Sequence, residues 1–222
     1  MKPVQVIPIK VGISSAYIIK QENAILIDTG VPGKEGVILN ALHQAGIDQN
    51  DLKLILISHG HQDHAGSAAR LQEVTKAPIA VHENDAPMLR AGTQGYLVPT
   101  GLTGRIAGVF FGSANRSKYP KVNPDIVIKS NMDLTPYGID GTVIPTPGHT
   151  MGSVSVVLKN GDTFVGDLIV PQIPSGKPGL PFWADKPDDV YQSIKTLLAY
   201  NPKTFYLGHG GPFSVTEIQQ IK

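Results

Sequence analysis

The sequence predicts an α/β fold. Short apolar runs rich in β-branched residues alternate with segments of helical spacing along all 222 residues. The same unit, a strand followed by a histidine or aspartate and then a turn or helix, recurs in both halves. The densest polar cluster, Ser58-His59-Gly60-His61-Gln62-Asp63-His64-Ala65-Gly66, follows directly on an apolar run.

In chain order, residues 4–10, 15–20 and 24–28 read as three consecutive strands, the last two joined by a turn at Gln21-Glu22-Asn23. Residues 33–45 carry Val37, Ile38, Ala41, Leu42 and Ala45 at helical spacing, with Gly46 as the stop. His43 falls on the polar side of that helix. A strand over 52–57 feeds the histidine cluster. A helix over 67–76, a strand over 78–81 and a short helix over 84–90 complete the first half. His82, outside any ligand-like motif, reads as a structural hydrogen-bonding residue. In the second half, 137–144 reads as a strand, and 153–158 and 162–165 flank the hairpin signal Asn160-Gly161. Residues 168–184 form a loop rich in proline and glycine. Residues 188–198 are helical through Val190, Ile194, Leu197 and Leu198, and 204–207 is the last strand. Ser214-Val215-Thr216-Glu217 is a capping box that opens a short final helix.

Composition narrows the function classes. A formal net charge of +1 supplies no global field toward nucleic acid or an anionic membrane. The chain has no cysteine, which excludes disulfides and thiolate ligands. No stretch approaches the ~18 apolar residues of a membrane span, and the N-terminal residues lack the apolar core of a signal peptide. The expectation is a cytoplasmic protein, monomer or homodimer, with a single domain over 1–222. Its two pseudo-symmetric halves cover about 1–90 and 130–222, with a lid-like segment over 91–129 between them.

The cluster at 58–66 points to metal. It packs three of the chain's seven histidines and a carboxylate into six positions, and no packing argument requires that. Imidazole nitrogen and carboxylate oxygen are ligands that zinc and similar divalent ions prefer. On leaving a strand, residues at i and i+2 point the same way, so His59 and His61 can share one ion. Asp63 and His64, further round the loop, can face a second ion beside the first.

His-x-His-x-Asp-His after a strand resembles the metallo-β-lactamase superfamily of metal-dependent hydrolases. The resemblance extends over nearly the whole chain: Asp28 in Ile27-Asp28-Thr29-Gly30, His149 in Thr146-Pro147-Gly148-His149, Asp167 in Val165-Gly166-Asp167, and His209 in Leu207-Gly208-His209-Gly210. It implies a four-layer αββα sandwich of two mixed β-sheets flanked by helices, with metals at one edge. It implies that His59, His61 and His149 hold one ion, that Asp63, His64 and His209 hold the other, and that Asp167 bridges both. Asp28 would orient a ligand histidine or the metal loop from beneath the site, or stand simply as a turn aspartate before Gly30. The implied cofactor is two divalent ions, zinc first, with Mn2+, Fe2+ and Co2+ as alternatives.

The chemistry implied is hydrolysis. Two neighbouring cations share a water, lower its pKa toward neutrality and polarise the scissile carbonyl, and Asp63 shuttles a proton to the leaving group. Departures from individual branches narrow the substrate. The chain ends soon after His209, without the helical extension of glyoxalase II. It has Val170 where the similar homoserine-lactone lactonases carry a tyrosine. The expectation is a hydrolase of a small-molecule ester, thioester or lactone. The rivals are a mononuclear iron persulfide dioxygenase, a β-lactamase-type amide hydrolase and a non-enzymatic binder. Pocket candidates are Tyr96, Phe182 and Trp183, the last equally readable as core. Arg105 and Arg116, with Lys118, make 91–129 locally basic and favour an anionic substrate, although a solvated loop or dimer contact reads as well. Val109-Phe110-Phe111 is apolar enough to pair subunits.

Overall fold

In the first sheet, the hairpin of β1 (Gln5–Val11) and β2 (Ser14–Lys20) leads into antiparallel β3 (Ala24–Ile27). The direction then changes. β4 (Leu52–Leu56), β5 (Ile79–His82) and β6 (Ile126–Ile128) add on in parallel, giving the order β1-β2-β3-β4-β5-β6. Parallel neighbours need crossovers. These pass through α1 (Glu35–Gln44), α2 (Gln62–Ala65) with α3 (Ala68–Thr75), and α4 (Ala86–Ala91). This computed structural model describes residues 2–101 and 117–221.

The second sheet begins with β7 (Met132–Asp133), β8 (Gly141–Pro145), β9 (Val154–Leu158) and β10 (Asp162–Phe164), each antiparallel to the one before. A small ribbon of β11 (Val170–Pro171) and β12 (Pro178–Gly179) and helix α5 (Pro187–Leu198) follow. Strand β13 (Thr204–Tyr206) joins β10 in parallel, and β14 (Phe213–Ser214) closes the edge before α6 (Val215–Ile218). The capping box is made as expected: Glu217 N donates to Ser214 Oγ, and Ser214 N donates to the Glu217 carboxylate.

Burial sorts the strands into faces. On β3, Leu26 packs with Ile38 and Leu42 of α1 and Leu71 of α3, while Ile25 and Ile27 turn the other way. Those two meet Leu54 and Leu56 of β4, Val143 of β8, Val156 of β9 and Phe164 of β10 in a core between the sheets. Behind the second sheet, Ile144, Val157 and Phe205 pack on Val190, Ile194 and Leu197 of α5. The layers run helix, sheet, sheet, helix, which is the αββα sandwich. β3, covered on both faces, loses the polar alternation of a half-exposed strand and reads as a continuous apolar run, and β4 departs from one only at half-buried Lys53.

Three parts of the sequence reading need correction. Residues 135–137 form a 3-10 turn and Gly138 takes a left-handed φ of 77°, so the strand expected from 137 starts at Gly141. Residues 91–129 are not irregular throughout. Ile126–Ile128 is the sixth strand of the first sheet, and Tyr119 and Val122 belong to its helix-side core. The loop expected over 168–184 contains the β11–β12 ribbon. Arg105, Arg116 and Val109-Phe110-Phe111 lie outside the described residues. Among the described residues, no helix is long and apolar enough to cross a membrane.

The two sheets are stitched where their strand ends meet. Ser15 N donates to Gly208 O (2.8 Å), Val154 N to Ser58 O (2.9 Å), and Tyr17 Oη to Leu207 O (2.7 Å). The inter-sheet core predicts that Leu54→Ala, at a fully buried position, lowers unfolding free energy by about 2–5 kcal/mol. Denaturant titration against wild type checks this.

Candidate metal centre

Every residue of the predicted ligand set sits just beyond a strand end on the stitched edge. His59 and His61 follow β4, with Asp63 and His64 in the single turn of α2. His149 lies between β8 and β9, Asp167 follows β10 and His209 follows β13. The four histidines other than His209 are buried, as is Asp167; Asp63 and His209 keep partial access to solvent. β4 ends at Leu56, so the i, i+2 rule is not what pairs His59 with His61. The loop turns them onto one point through different atoms, Nε2 of His59 and Nδ1 of His61.

Distances divide the cluster into two trios with one shared carboxylate. His149 Nε2 lies 3.2 Å from His59 Nε2 and 3.1 Å from His61 Nδ1. In the second trio, His209 Nε2 is 3.1 Å and His64 Nε2 3.8 Å from Asp63 Oδ2. Asp167 faces both: Oδ1 is 3.3 Å from His64 Nε2, and Oδ2 is 3.3 Å from His209 Nε2 and 3.8 Å from His149 Nε2. Gly208 makes this convergence possible, because a Cβ there would stand 2.2 Å from Asp167 Oδ1 and 2.5 Å from His64 Cε1.

The outer nitrogens determine which inner nitrogens are bare. A carbonyl only accepts, so His149 Nδ1 donates to Trp183 O (2.8 Å) and His209 Nδ1 to Ile13 O (3.0 Å). His64 Nδ1 donates to Asp28 Oδ2 (2.8 Å). Ser58 Oγ donates to Asp28 Oδ2 (2.7 Å) and therefore accepts from His59 Nδ1 (3.1 Å). Asp28 also accepts from Ser58 N (2.7 Å) and is itself in the left-handed region at φ 61°. In each neutral ring the Nε2 lone pair then points inward, the arrangement found behind metal-ligating histidines.

The two trios differ in charge. Burial, and then His64, His61 and His149, hold His59 well below the ordinary imidazole range. Burial and then His149 bring His61 down to about 3. In the other trio, Asp167 holds His209 up at about 10, against burial. His64 is raised despite its burial, by Asp167, Asp63 and Asp28. Burial opposes ionisation of Asp63, but His64 and His209 overcome it and set it at about 2; the same two histidines hold Asp167 well below the carboxylate range. Without an ion, His59 and His61 are neutral, and the second trio is a lattice of alternating charges.

These residues fit divalent ions. With their Nδ1 atoms donating outward, His59 and His149 present bare Nε2 atoms to each other at 3.2 Å, and two such lone pairs repel unless positive charge lies between them. Among the described residues, buried His64 Nε2 and Asp167 Oδ1 make no well-aligned hydrogen bond and face only each other, as an ion pair at 3.3 Å, a contact that an ion could replace. The ligand atoms of each trio lie within 4.8 Å of one another.

The sequence profile of the metallo-beta-lactamase superfamily matches residues 9–209. The chain belongs to the metallo-β-lactamase superfamily. It is 28% identical over 232 residues to the probable metallo-hydrolase YflN of Bacillus subtilis (strain 168), covering 92% of this chain and 83% of that one. Among solved structures, the BLEG-1 B3 metallo-beta-lactamase superposes with a TM-score of 0.72 at 19% identity, covering 96% of this chain and 95% of that one. The Rm3 metallo-beta-lactamase gives a TM-score of 0.67 at 25% identity, covering 91% and 74%. The superfamily is one of metal-binding hydrolases, in keeping with the histidine and aspartate cluster of this member.

Of the pocket candidates, Tyr96 is exposed, and Phe182 and Trp183 are half-buried with their rings edge to face at 6.1 Å. Residues 98–100 run alongside 182–184: Thr100 N donates to Phe182 O (2.8 Å) and Ala184 N to Val98 O (2.9 Å). His82 makes a local contact, accepting from Asn84 N at Nδ1 (3.3 Å). Sequence reasoning missed Ser58, although it lies in the cluster, and the Ile13 and Trp183 carbonyls, for which no side chain gives a signal.

Two outcomes are expected. Gly208→Ala drives a methyl group into Asp167 and His64, and metal content measured after dialysis should fall with it. In the presence of a chelator, stability should drop as pH falls from 6.5 to 5. The unfolded chain takes up protons on His61 and His59 there, while the folded chain keeps both rings neutral. His209, raised to about 10, works weakly in the opposite sense, by well under ~1 kcal/mol as its unfolded ring finishes protonating, and Asp63, lowered to about 2, contributes a nearly constant amount across that window. At about 1.4 kcal/mol per pKa unit, His61 alone accounts for about 2 kcal/mol, readable by thermal melts at each pH.

Proposed function

We propose that the chain is a dinuclear metallohydrolase of small esters, thioesters or lactones. The observation that carries this reading is the sharing of Asp167 between the two trios, its Oδ1 toward His64 and its Oδ2 toward His209 and His149. His59, His61 and His149 would hold one divalent ion, Asp63, His64 and His209 the other, and Asp167 both, with zinc the first candidate for these nitrogen-rich sites. The ions would supply an acidified water and a Lewis acid for the scissile carbonyl.

The chain's own groups have defined tasks. Asp63, anionic and partly open to solvent, takes a proton at its carboxylate and returns it to the departing oxygen or sulfur, while hydroxyl adds to the acyl carbon. Asp28, through His64 and through Ser58 to His59, holds one ring in each trio in its working tautomer. The Trp183 carbonyl accepts from His149 Nδ1, and Phe182, Trp183 and Tyr96 are proposed as walls for the acyl portion. The segment running with them, up to the basic stretch of Arg105, Arg116 and Lys118, is proposed as the lid over an anionic substrate. We take 1–222 as one domain with the site on the seam between its halves.

A panel of p-nitrophenyl esters, thioesters, lactones and a β-lactam tests the reading. Zinc-dependent turnover of an ester, thioester or lactone, abolished by a chelator and restored by zinc, is the expected outcome. Turnover of the β-lactam alone, or of none of them, contradicts it. Asp63→Asn should lower kcat by about 10²–10⁴ for the susceptible substrate.

A further inference from the structure

We propose that Asp85 and Tyr119 are positioning residues that clamp the Gly60 peptide, and with it the His59, His61 and His149 trio, in an ion-binding geometry. The inference rests on reading that trio as an ion site. Gly60 is the residue between two candidate ligands, and both of its backbone groups are held by side chains. Its N–H donates to Asp85 Oδ2 (2.8 Å), and its carbonyl accepts from Tyr119 Oη (2.8 Å). The same Asp85 Oδ2 accepts from Thr150 Oγ1 (2.8 Å), next in sequence to His149. One carboxylate oxygen therefore joins the two loops that supply all three histidines.

Neither helix capping nor packing accounts for Asp85. It occupies the N-cap position of α4, yet its side chain makes no capping bond and turns to Gly60 and Thr150 instead. The carboxyl is buried, with Oδ1 lacking any hydrogen-bond partner among the described residues. A polar atom left bare in this way costs stability, so an apolar side chain would fill the space better. Its surroundings are tight: a Cβ at Gly152 would fall 2.3 Å from Asp85 Oδ1, and one at Gly60 would fall 2.9 Å from Met88. Tyr119 is fixed in turn through its own backbone, its N–H donating to Gly92 O (2.9 Å). The second trio leans on different supports, Asp28 behind His64 and the Ile13 carbonyl behind His209. The clamp therefore acts on one trio only.

The test compares Asp85→Ala, Asp85→Asn and Tyr119→Phe with wild type by zinc titration against a competing chelator and by hydrogen exchange at the Gly60 amide. Asparagine keeps an oxygen that accepts from both Gly60 and Thr150, so it separates hydrogen bonding from charge. Asp85→Ala and Tyr119→Phe should each weaken one equivalent of zinc by about 10–100-fold and leave the other unchanged, with Asp85→Asn restoring wild-type binding. The Gly60 amide, read in the metal-free chain, should exchange slowly in wild type and in Asp85→Asn and faster in Asp85→Ala. Unchanged binding of both equivalents, equal weakening of both, or rapid exchange of Gly60 in wild type overturns the clamp. A wild-type chain that binds no zinc but protects Gly60 in this pattern would instead refute the ion site and leave the clamp standing.

Discussion

Lone pairs aimed at one another in a buried space are the constraint around which this structure is arranged. His149 Nε2 stands 3.2 Å from His59 Nε2 and 3.1 Å from His61 Nδ1, with the outer atoms of His59 and His149 held so that Nε2 stays bare. No imidazole cluster takes that form for packing alone. It has to be imposed by backbone that cannot relax. The seam between the sheets provides this, through bonds from Ser15 to Gly208 and from Val154 to Ser58 that tie β2 and β9 to the loops carrying His209 and His59.

The two trios meet the constraint in different ways. The first, with His59 and His61 held neutral, is buried and braced from outside by a serine, a carbonyl and the Gly60 peptide. The second balances its charges internally, with His64 and His209 held protonated by Asp63, Asp167 and Asp28. On the proposed reading, an ion entering the first trio would meet ready ligands, whereas one entering the second would displace protons from His64 and His209. Asp167 would couple the two events, since its carboxylate faces both trios. Asp28 reaches both as well, directly to His64 and through Ser58 to His59.

Much of this was legible in the sequence because it resides in side chains whose chemistry has no bland substitute. Three histidines and an aspartate in six residues after an apolar run point to a metal loop, whereas Asp28 before Thr29-Gly30 also reads as a turn aspartate and its supporting role came only from the family resemblance. The unread parts have physical reasons. β6, β7 and β14 are two or three residues long, too short for any periodicity to register. Tyr137 follows Pro136 in a turn that its β propensity conceals. Ile13 and Trp183 act through carbonyls, which every residue carries. Asp85 and Tyr119 contact Gly60 across 25 and 59 residues of chain, a proximity that only the crossover through β5 and α4 creates.

The central claim is that two ions share Asp167. Elemental analysis of the purified protein, with metal counted per chain, tests it most directly. The account predicts about two zinc, or two of manganese or cobalt, per chain, falling to about one in His149→Ala. A single iron per chain, with no second site filled when zinc is supplied, would contradict it and move the reading to redox chemistry.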